Sequence, residues 1–467
     1  MSKDIIISET PEETRMALVE DDRLAEYIVE RSSERHLVGS IFTGKVKNIV
    51  RGLQAAFIDI GREQNAFLFV PEDSVVNEGQ TVIVQIAKDS RGTKGPMATR
   101  SIALPGKYLV LLPFSNYVGV SHKIKGKEEK TRLKELIEQN KPTTVGCVIR
   151  TLAEGVSEDA LLQDLTALLA TWRIVCARAK RSTQPTLLFR ELDLPVRIVR
   201  DYLAENVRRI IFDNEVTYKR VKELVADLDK KPQASLQHFA GKSDIFAYYK
   251  VSEEISTLDD RKIWLSCGGY LVLDHTEAMT VIDVNSGKFQ GRTSLEETVL
   301  EINKQAAIEI ARQLRLRDIG GIIIIDFIDM ARKETQKQVL DALAISLEND
   351  KMKPKVQGIT ALNLVEITRK KARQNSAAVL YAPCPVCQGS GKVQSPETIT
   401  VEIRRRLRHL LVKRLAAKDI LLTVHPYVGE WLERHNLKDL EKEFGCTISV
   451  EKDPALHEEA FCLLDNA

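Results

Sequence analysis

The stretch from Thr280 to Met330 decides the fold of its part of the chain. It reads TVIDVNSG at 280–287, LEETVLEINKQAAIEIARQLRLRD at 295–318 and GGIIIIDFIDM at 320–330. Apolar residues recur in the middle segment at the three- and four-residue spacing of a helix with one buried face. These residues are Val299, Ile302, Ala306, Ile310 and Leu314. A strand, a helix of this length and a second apolar strand predict a parallel βαβ crossover.

Each of the two predicted strands ends in an aspartate, Asp283 or Asp326. The carboxyl ends of strands in open α/β sheets are where ligands bind, and the two carboxylates lie close together if the strands are neighbours. Adjacent carboxylates repel unless they share a cation or a proton, and Mg²⁺ prefers oxygen ligands. Asn285 would lie on the same face and could hydrogen-bond a carboxylate or a phosphate. The pattern predicts a magnesium site; the alternative is that both aspartates only end strands and cap turns.

Length and composition bound the remaining possibilities. The 467 residues exceed the ~150 of a typical domain, which predicts several domains. The chain has 68 basic and 66 acidic residues, a net charge of +2; this excludes a histone-like polycation but not a local nucleic-acid-binding surface. The start, MSKDIIISETPEE, is unlike a signal peptide. The apolar run at Ile322–Ile325 is far short of the ~20 residues of a membrane helix, so no membrane is expected.

The cysteines predict a zinc half-site rather than disulfides. There are seven, mostly scattered, which favours a reducing cytoplasmic compartment. Only Cys384 and Cys387, in CPVCQGSG, have the spacing of two zinc ligands on a tight turn. Because zinc takes four ligands and there is no second CxxC, a second copy of the chain is the simplest completion. A redox pair at a helix N-terminus and two free thiols are the alternatives.

Residues 36–106 predict a small barrel with exposed aromatic side chains. Short β-rich runs recur there, SIFTGKVKNIV, AAFIDI, NAFLFV and TVIVQIA, separated by turn residues, as in an OB fold. Strand alternation puts Phe57 on the face of Asp59, away from the apolar side, and Phe67 on the face of Phe69. Exposed aromatic rings on such a barrel stack on single-stranded bases, although burial in the core is the commoner fate of phenylalanine.

Basic charge is concentrated in two runs. Residues 86–134 contain eleven Lys/Arg against three acids, and residues 401–418 contain seven against one. Either run could be a solvated face. Two such runs, one of them beside the predicted barrel, favour contacts with nucleic-acid phosphates.

These segments, together with VIRTLAEGVS at 148–157, resemble the bacterial ribonuclease E/G family over nearly the whole chain. The most specific matches are DVNSG, RQLRLRDIGG and IDFIDM. Because the chain stops soon after a small C-terminal domain, it is most similar to the ribonuclease G branch. The resemblance implies a Mg²⁺-dependent endoribonuclease that cuts single-stranded RNA, leaves a 5′-phosphate and a 3′-hydroxyl, and acts in rRNA maturation and mRNA turnover.

The resemblance also assigns roles to the residues of the predicted metal sites. Asp283 and Asp326 match the family's Mg²⁺ ligands, and Asn285 matches a residue that helps to orient the attack. Cys384 and Cys387 match a zinc link shared between protomers, which implies a homodimer or a higher oligomer.

Further roles concern RNA. The residues that match RNA contacts on the family's OB domain are Phe57, Phe67 and Lys94. Arg150 and Thr151 match a pocket for a 5′-monophosphate, and the fork of an arginine suits that group. Lys130 stands near that pocket where the family has an arginine, and lysine keeps the charge but not the bidentate geometry.

The resemblance divides the multidomain α/β chain as follows: an RNase H-like subdomain (1–35 plus 196–258), an inserted OB-fold barrel (36–106), a 5′-sensor domain (107–195), a DNase I-like catalytic subdomain (259–381), the zinc link (382–394) and a small C-terminal α/β domain (395–467). A non-catalytic RNA scaffold or chaperone is the alternative function, since the barrel and the basic runs would suffice for it. A DNA nuclease is a weaker third possibility.

Overall fold

The computed structural model describes residues 2–32, 37–71, 76–90, 94–203, 207–229, 234–288, 294–371, 379–413, 419–435 and 437–465. The chain is a mixed α/β protein that divides into two compact units, 1–380 and 381–467. Within the described residues, the first unit contains four sheets and the second contains one.

The predicted βαβ crossover lies in a six-stranded sheet, the carboxylate sheet. In spatial order its strands are Lys262–Trp264, Tyr270–His275, Met279–Asn285, Gly321–Asp326, Leu364–Arg369 and Lys355–Ile359. The third and fourth strands run parallel, joined by the helix Leu295–Leu316, so the predicted crossover is confirmed. The Ser294 side chain accepts a hydrogen bond from the Glu297 N–H and caps that helix, whose five predicted core residues are all buried. A second helix, Lys333–Leu347, packs beside the first.

A five-stranded sheet, the N-terminal sheet, joins segments far apart in sequence. In spatial order its strands are Ser235–His238, Arg209–Phe212, Lys3–Glu9, Glu13–Glu20 and Arg23–Arg31. The three N-terminal strands are antiparallel, and the two later strands add in parallel to the first. The associated helices are Leu194–Tyr202, Glu215–Ala226, Ile245–Tyr248 and Ser252–Ser256.

The barrel lies between these segments in the chain. Five strands close on themselves through pairing of the first with Thr81–Lys88, and Thr186–Phe189 adds to the outside. The other four barrel strands are Ile41–Val50, Ala55–Asp59, Ala66–Phe69 and Met97–Thr99. A closed five-stranded barrel is consistent with the expected OB fold.

A four-stranded sheet follows the barrel, with strands Val118–Val120, Gly146–Ile149, Leu109–Leu112 and Leu104–Pro105 in spatial order. Its helices are Lys127–Asn140 and Glu158–Arg181. The second helix is long and apolar enough to cross a membrane by length and composition alone, a feature that the sequence analysis passed over. One face of it is buried on the sheet, including Asp164, whose carboxylate accepts hydrogen bonds from the N–H groups of Lys107, Tyr108 and Leu109.

The second unit is built on a three-stranded sheet of Thr447–Lys452, Asp419–Val424 and Phe461–Asp465. Its helices are Pro396–Lys413, Pro426–Arg434 and Lys438–Phe444. The first helix buries Ile399, Ile403, Leu407 and Leu411 in a core shared with the central strand.

Candidate functional site

Asp283 and Asp326 lie directly opposite each other at the carboxyl ends of neighbouring parallel strands. Paired residues in adjacent strands have backbones about 4.8 Å apart and point to the same face. Both side chains are exposed, while the alternate residues Ile282 and Ile325 are buried under the helices. Asn285 Nδ2 donates a hydrogen bond to Asp283 Oδ2 at 2.8 Å, which orients that carboxylate. The structure therefore brings the three predicted residues together.

The electrostatics of the pair are those of uncompensated negative charge. Partial burial, followed by the negative charges of Asp283 and Asp329, raises the pKa of Asp326. Like charges raise a carboxyl pKa in this way until a cation neutralises them. Within the described residues no three His, Cys, Asp or Glu side chains converge on one point. Two carboxylates open to solvent fit Mg²⁺, which keeps several of its waters.

Phe57 and Phe67 form a cross-strand pair on the barrel. The two residues are register partners, and their rings meet edge to face with centroids 6.1 Å apart. Both are half-buried, whereas Ala56 and Ile58 on the opposite face are fully buried. The alternation expected from the sequence is therefore present.

Lys94 lies three residues before Met97, in the segment that pairs with the Phe67 strand. Met97 is the register partner of Phe67, and the Phe67 N–H donates to the Pro96 carbonyl. A Cβ on Gly95 would lie 2.0 Å from the Asn65 carbonyl oxygen, so only glycine permits this close backbone approach. The close approach fixes the backbone next to Lys94, whose side chain is exposed.

Arg150 and Thr151 have different surroundings. Arg150 donates hydrogen bonds to the carbonyl oxygens of Gly106 and Arg200 and to Asp201 Oδ1. Its guanidinium therefore ties the four-stranded sheet to the helix Leu194–Tyr202. Thr151 Oγ1 is 2.8 Å from Ser121 Oγ, and both hydroxyls follow the ends of neighbouring parallel strands.

The hydroxyl pair includes a residue that the sequence analysis missed. Ser121 gives no motif signal, because its position depends on which strand lies beside Gly146–Ile149. Lys130, the other expected member of this site, is half-buried in the helix Lys127–Asn140.

Cys384 and Cys387 lie on one tight turn in the second unit. The Gln388 N–H bonds to the Cys384 carbonyl and the Ser390 N–H to the Cys387 carbonyl. The N–H groups of Gly391 and Gly389 lower the pKa of Cys387, whose thiol also bonds with Cys384. Because zinc binds thiolates, a turn that favours ionisation fits two zinc ligands.

Three of the seven basic residues in the second basic run are paired with acids of the second unit. Arg404 pairs with Asp439, Arg408 with Glu443, and Arg406 with Glu402 on the same helix. The sequence analysis counted these arginines as candidates for phosphate contacts. Their ion pairs make these three arginines weaker candidates for phosphate contacts.

The sequence analysis also missed an aromatic cluster on the carboxylate sheet. Tyr270 lies on the strand next to that of Asp283, and Trp264 lies on the strand beyond it. Lys262 lies against both rings. The signal was available, since Trp264 alternates with the apolar residues Ile263 and Leu265 and so belongs to the opposite, polar face.

Comparison with known proteins matches the same regions. Residues 103–372 match the model of the ribonuclease E/G family, and residues 383–465 match that of the family's thioredoxin-like domain. The small C-terminal α/β domain is thus thioredoxin-like.

Named relatives extend the match to the whole chain. Ribonuclease G of Escherichia coli (strain K12) is 37% identical over 99% of this chain and 99% of its own. Ribonuclease G of Haemophilus influenzae is 38% identical over 98% of each chain. Ribonuclease E of Nostoc sp. is 38% identical over 84% of this chain and 59% of its own. The expected resemblance is confirmed, and the chain belongs to the ribonuclease E/G family of endoribonucleases.

Proposed function

We propose that this protein is a Mg²⁺-dependent endoribonuclease that cuts single-stranded RNA at the Asp283–Asp326 pair. The observation that carries the proposal is the placement of the two carboxylates opposite each other, exposed, with Asn285 bonded to one of them. We further propose that the products carry a 5′-phosphate and a 3′-hydroxyl, and that the substrates are rRNA precursors and mRNA in the cytoplasm.

The chain's own residues provide the positioning in this scheme. Asp283 and Asp326 would hold the ion, and Asn285 fixes the orientation of Asp283 through its 2.8 Å hydrogen bond. When bound, Mg²⁺ activates a water and neutralises charge on the phosphodiester. Partial burial, followed by the negative charge of Asp283, raises the pKa of Asp326, and the ion would neutralise that negative charge.

We propose that the RNA runs over the barrel and that its 5′ end is read on the four-stranded sheet. The Phe57–Phe67 pair supplies ring faces and Lys94 a phosphate contact. Thr151 offers a hydroxyl to a terminal monophosphate, paired with Ser121. Lys130 and Arg150 would add positive charge to this site. Arg150 can do so only if the phosphate replaces the Gly106 carbonyl or Asp201 as an acceptor of its hydrogen bonds.

We assign the subdomains as the family resemblance implies. The N-terminal sheet, completed by strands from residues 209–238, supports an RNase H-like subdomain (1–35 plus 196–258) into which the OB barrel and the 5′-sensor domain are inserted. The carboxylate sheet would be the DNase I-like subdomain. Cys384 and Cys387 would bind half of a Zn²⁺ site that a second copy completes, giving a homodimer.

The decisive experiment is cleavage of a single-stranded RNA with Mg²⁺ by the wild-type protein, Asp283→Asn and Asp326→Asn. Each substitution removes a charged metal ligand but keeps its shape, so cleavage should fall by about 10²- to 10³-fold, the loss typical of a dismantled electrostatic site. Asp329→Asn is the matched control: its carboxylate is near but is not a register partner, and most activity should remain. Full activity in both ligand variants would reject the site.

The same assay separates the alternatives. RNA left intact by wild-type protein over a wide concentration range would favour a scaffold or chaperone. Equal cleavage of a matched single-stranded DNA would favour a general nuclease. Paired 5′-monophosphate and 5′-triphosphate substrates test the reading of the 5′ end, and a faster rate on the monophosphate is expected.

A further inference from the structure

An exposed aromatic cluster lies on the carboxylate sheet. Trp264 is 60% exposed, and its ring meets Tyr270 edge to face at a centroid distance of 5.3 Å. Lys262 Nζ lies 4.1 Å from the Trp264 ring centroid and 3.7 Å from that of Tyr270. A tryptophan that remains mostly in water adds little to the core, so its exposure calls for another explanation. We name these three side chains the aromatic platform.

Strand register places the platform beside the candidate catalytic residues. Trp264 pairs with Tyr270, and Tyr270 pairs with Asn285. In the next row Lys262 pairs with Val272, and Val272 pairs with Asp283. Directly opposed residues of antiparallel strands point to the same face. The platform therefore shares the exposed face of Asp283 and Asn285, one to two strand spacings away, or about 5–10 Å.

The platform is also in contact with the turn that follows Asn285. A Cβ at Gly287 would lie 3.4 Å from Tyr270 Cδ1 and 2.4 Å from the Gly268 carbonyl oxygen. Gly287 adopts a positive φ of 58°, which glycine allows without strain. The Tyr270 ring thus packs against this turn, and the platform and the carboxylates form one continuous surface.

We propose that the aromatic platform is a subsite for the nucleotide next to the scissile phosphate, an inference that rests on the function proposed above. The base stacks on the open face of Trp264, while Tyr270 supports that ring from the side. Lys262 polarises both rings through its cation–π contacts and offers its ammonium to a phosphate oxygen of the same nucleotide. Because every base has a π-face, the subsite distinguishes a base from an abasic position, not one base from another.

The test uses the full-length protein and a short single-stranded RNA with one cleavage site. Trp264→Leu keeps apolar bulk but removes the π-face, and Trp264→Phe keeps a ring. We expect Trp264→Leu to raise KM about 5- to 100-fold, the range of one base–aromatic stack, with kcat changed less than about 3-fold. Trp264→Phe should recover most of the loss. Tyr248→Leu, at a comparably exposed ring on the helix Ile245–Tyr248, is the control and should behave as wild type.

An abasic nucleotide placed on either side of the scissile bond identifies the partner of Trp264. At the stacked position, the abasic nucleotide should raise the KM of the wild-type protein as much as Trp264→Leu does. It should not raise the KM of the Trp264→Leu variant any further. The subsite would be overturned if Trp264→Leu left KM unchanged or raised it equally for intact and abasic RNA. It would also be overturned if the variant changed the sedimentation of the protein and not its KM.

Failure of the proposed function remains distinguishable. Binding of labelled RNA in an Asp283→Asn background repeats the comparison without cleavage. If wild-type protein does not cut RNA but Trp264→Leu still weakens binding to intact and not to abasic RNA, the function fails and the subsite stands.

Discussion

At the scale of single residues, Arg150 and Thr151 illustrate how neighbours in the chain can differ in role. The Arg150 guanidinium bonds to two carbonyl oxygens and to Asp201. Burial opposes ionisation of Asp201, yet Arg200 and Arg150 lower its pKa. Arg150 therefore stabilises the contact between the four-stranded sheet and the helix Leu194–Tyr202. Thr151 has its hydroxyl next to Ser121 and is the better candidate for a contact specific to a terminal phosphate.

Substitution should separate these two roles. Arg150→Ala removes charged hydrogen bonds and should lower the free energy of unfolding by about 2 kcal/mol, while Thr151→Ala should cost less than about 1 kcal/mol. Both should reduce the preference for 5′-monophosphorylated RNA over 5′-hydroxyl RNA. Chemical denaturation and cleavage rates on the two substrates check this. Loss of the preference in Arg150→Ala with full stability would instead mean that the arginine serves the phosphate alone.

At the scale of elements, the helix Leu295–Leu316 connects two sheets. Its apolar face packs under the carboxylate sheet through Ile302, Ile310 and their neighbours. Its other face meets the N-terminal strands through polar contacts. Arg312 donates to the Leu24 carbonyl, and Glu309 pairs with both Arg312 and Arg23. The position of the two strands that carry Asp283 and Asp326 is thus coupled to the N-terminal sheet.

Breaking this polar contact should destabilise the first unit. Arg312→Ala leaves Glu309, a side chain only 6% exposed, without its main partner, and should cost about 3 kcal/mol, as for other buried pairs that lose one member. Arg23→Ala removes a 57% exposed partner of the same carboxylate and should cost less than about 1 kcal/mol. Urea unfolding curves measure both, and equal costs would argue against the central role of Arg312.

The same helix predicts a pH dependence of stability. Burial opposes ionisation of Glu309, but bonds from Arg312 and Gln313 prevail and lower its pKa below the usual 4.5. A lowered folded-state pKa contributes stability above the unfolded-state value, and that stability is lost as pH falls through the folded-state pKa. The difference in unfolding free energy between wild type and Glu309→Gln should therefore shrink from pH 6 to pH 3.5. A constant difference would assign the effect to packing alone.

At the scale of the whole molecule, the near-zero net charge arises because basic and acidic residues balance each other. These residues are distributed differently in the two units. In the second unit the acidic C-terminal residues Asp439 and Glu443 pair with the arginines Arg404 and Arg408. In the first unit the run at 86–134 has eleven basic residues against three acids and continues from the barrel into the four-stranded sheet. RNA binding is therefore expected to depend mainly on the first unit and to weaken as salt rises.

Assembly is tested through the two-cysteine turn. The wild-type protein should contain one zinc per two chains, and Cys384→Ser should lose the metal and sediment as a monomer, because a half-site without one thiolate no longer binds zinc tightly. Cys462→Ser, at an exposed thiol in the same unit, is the control and should keep both metal and dimer. One zinc per chain, or a dimer that survives Cys384→Ser, would contradict a shared link.

The sequence by itself determined the features that follow from periodicity and from short motifs. The spacing of Val299, Ile302 and Ala306 specified a buried helix face, and the crossover it implies brought Asp283 opposite Asp326 because parallel strands end at the same edge. Only the tertiary structure decided which distant groups meet: Asp201 with Arg150, Asp439 with Arg404, and Tyr270 with Asn285 and the turn that follows it. These contacts depend on strand order and register between segments far apart in the chain. Alternation within one strand shows which face a side chain lies on, but it does not show which other strand lies beside it.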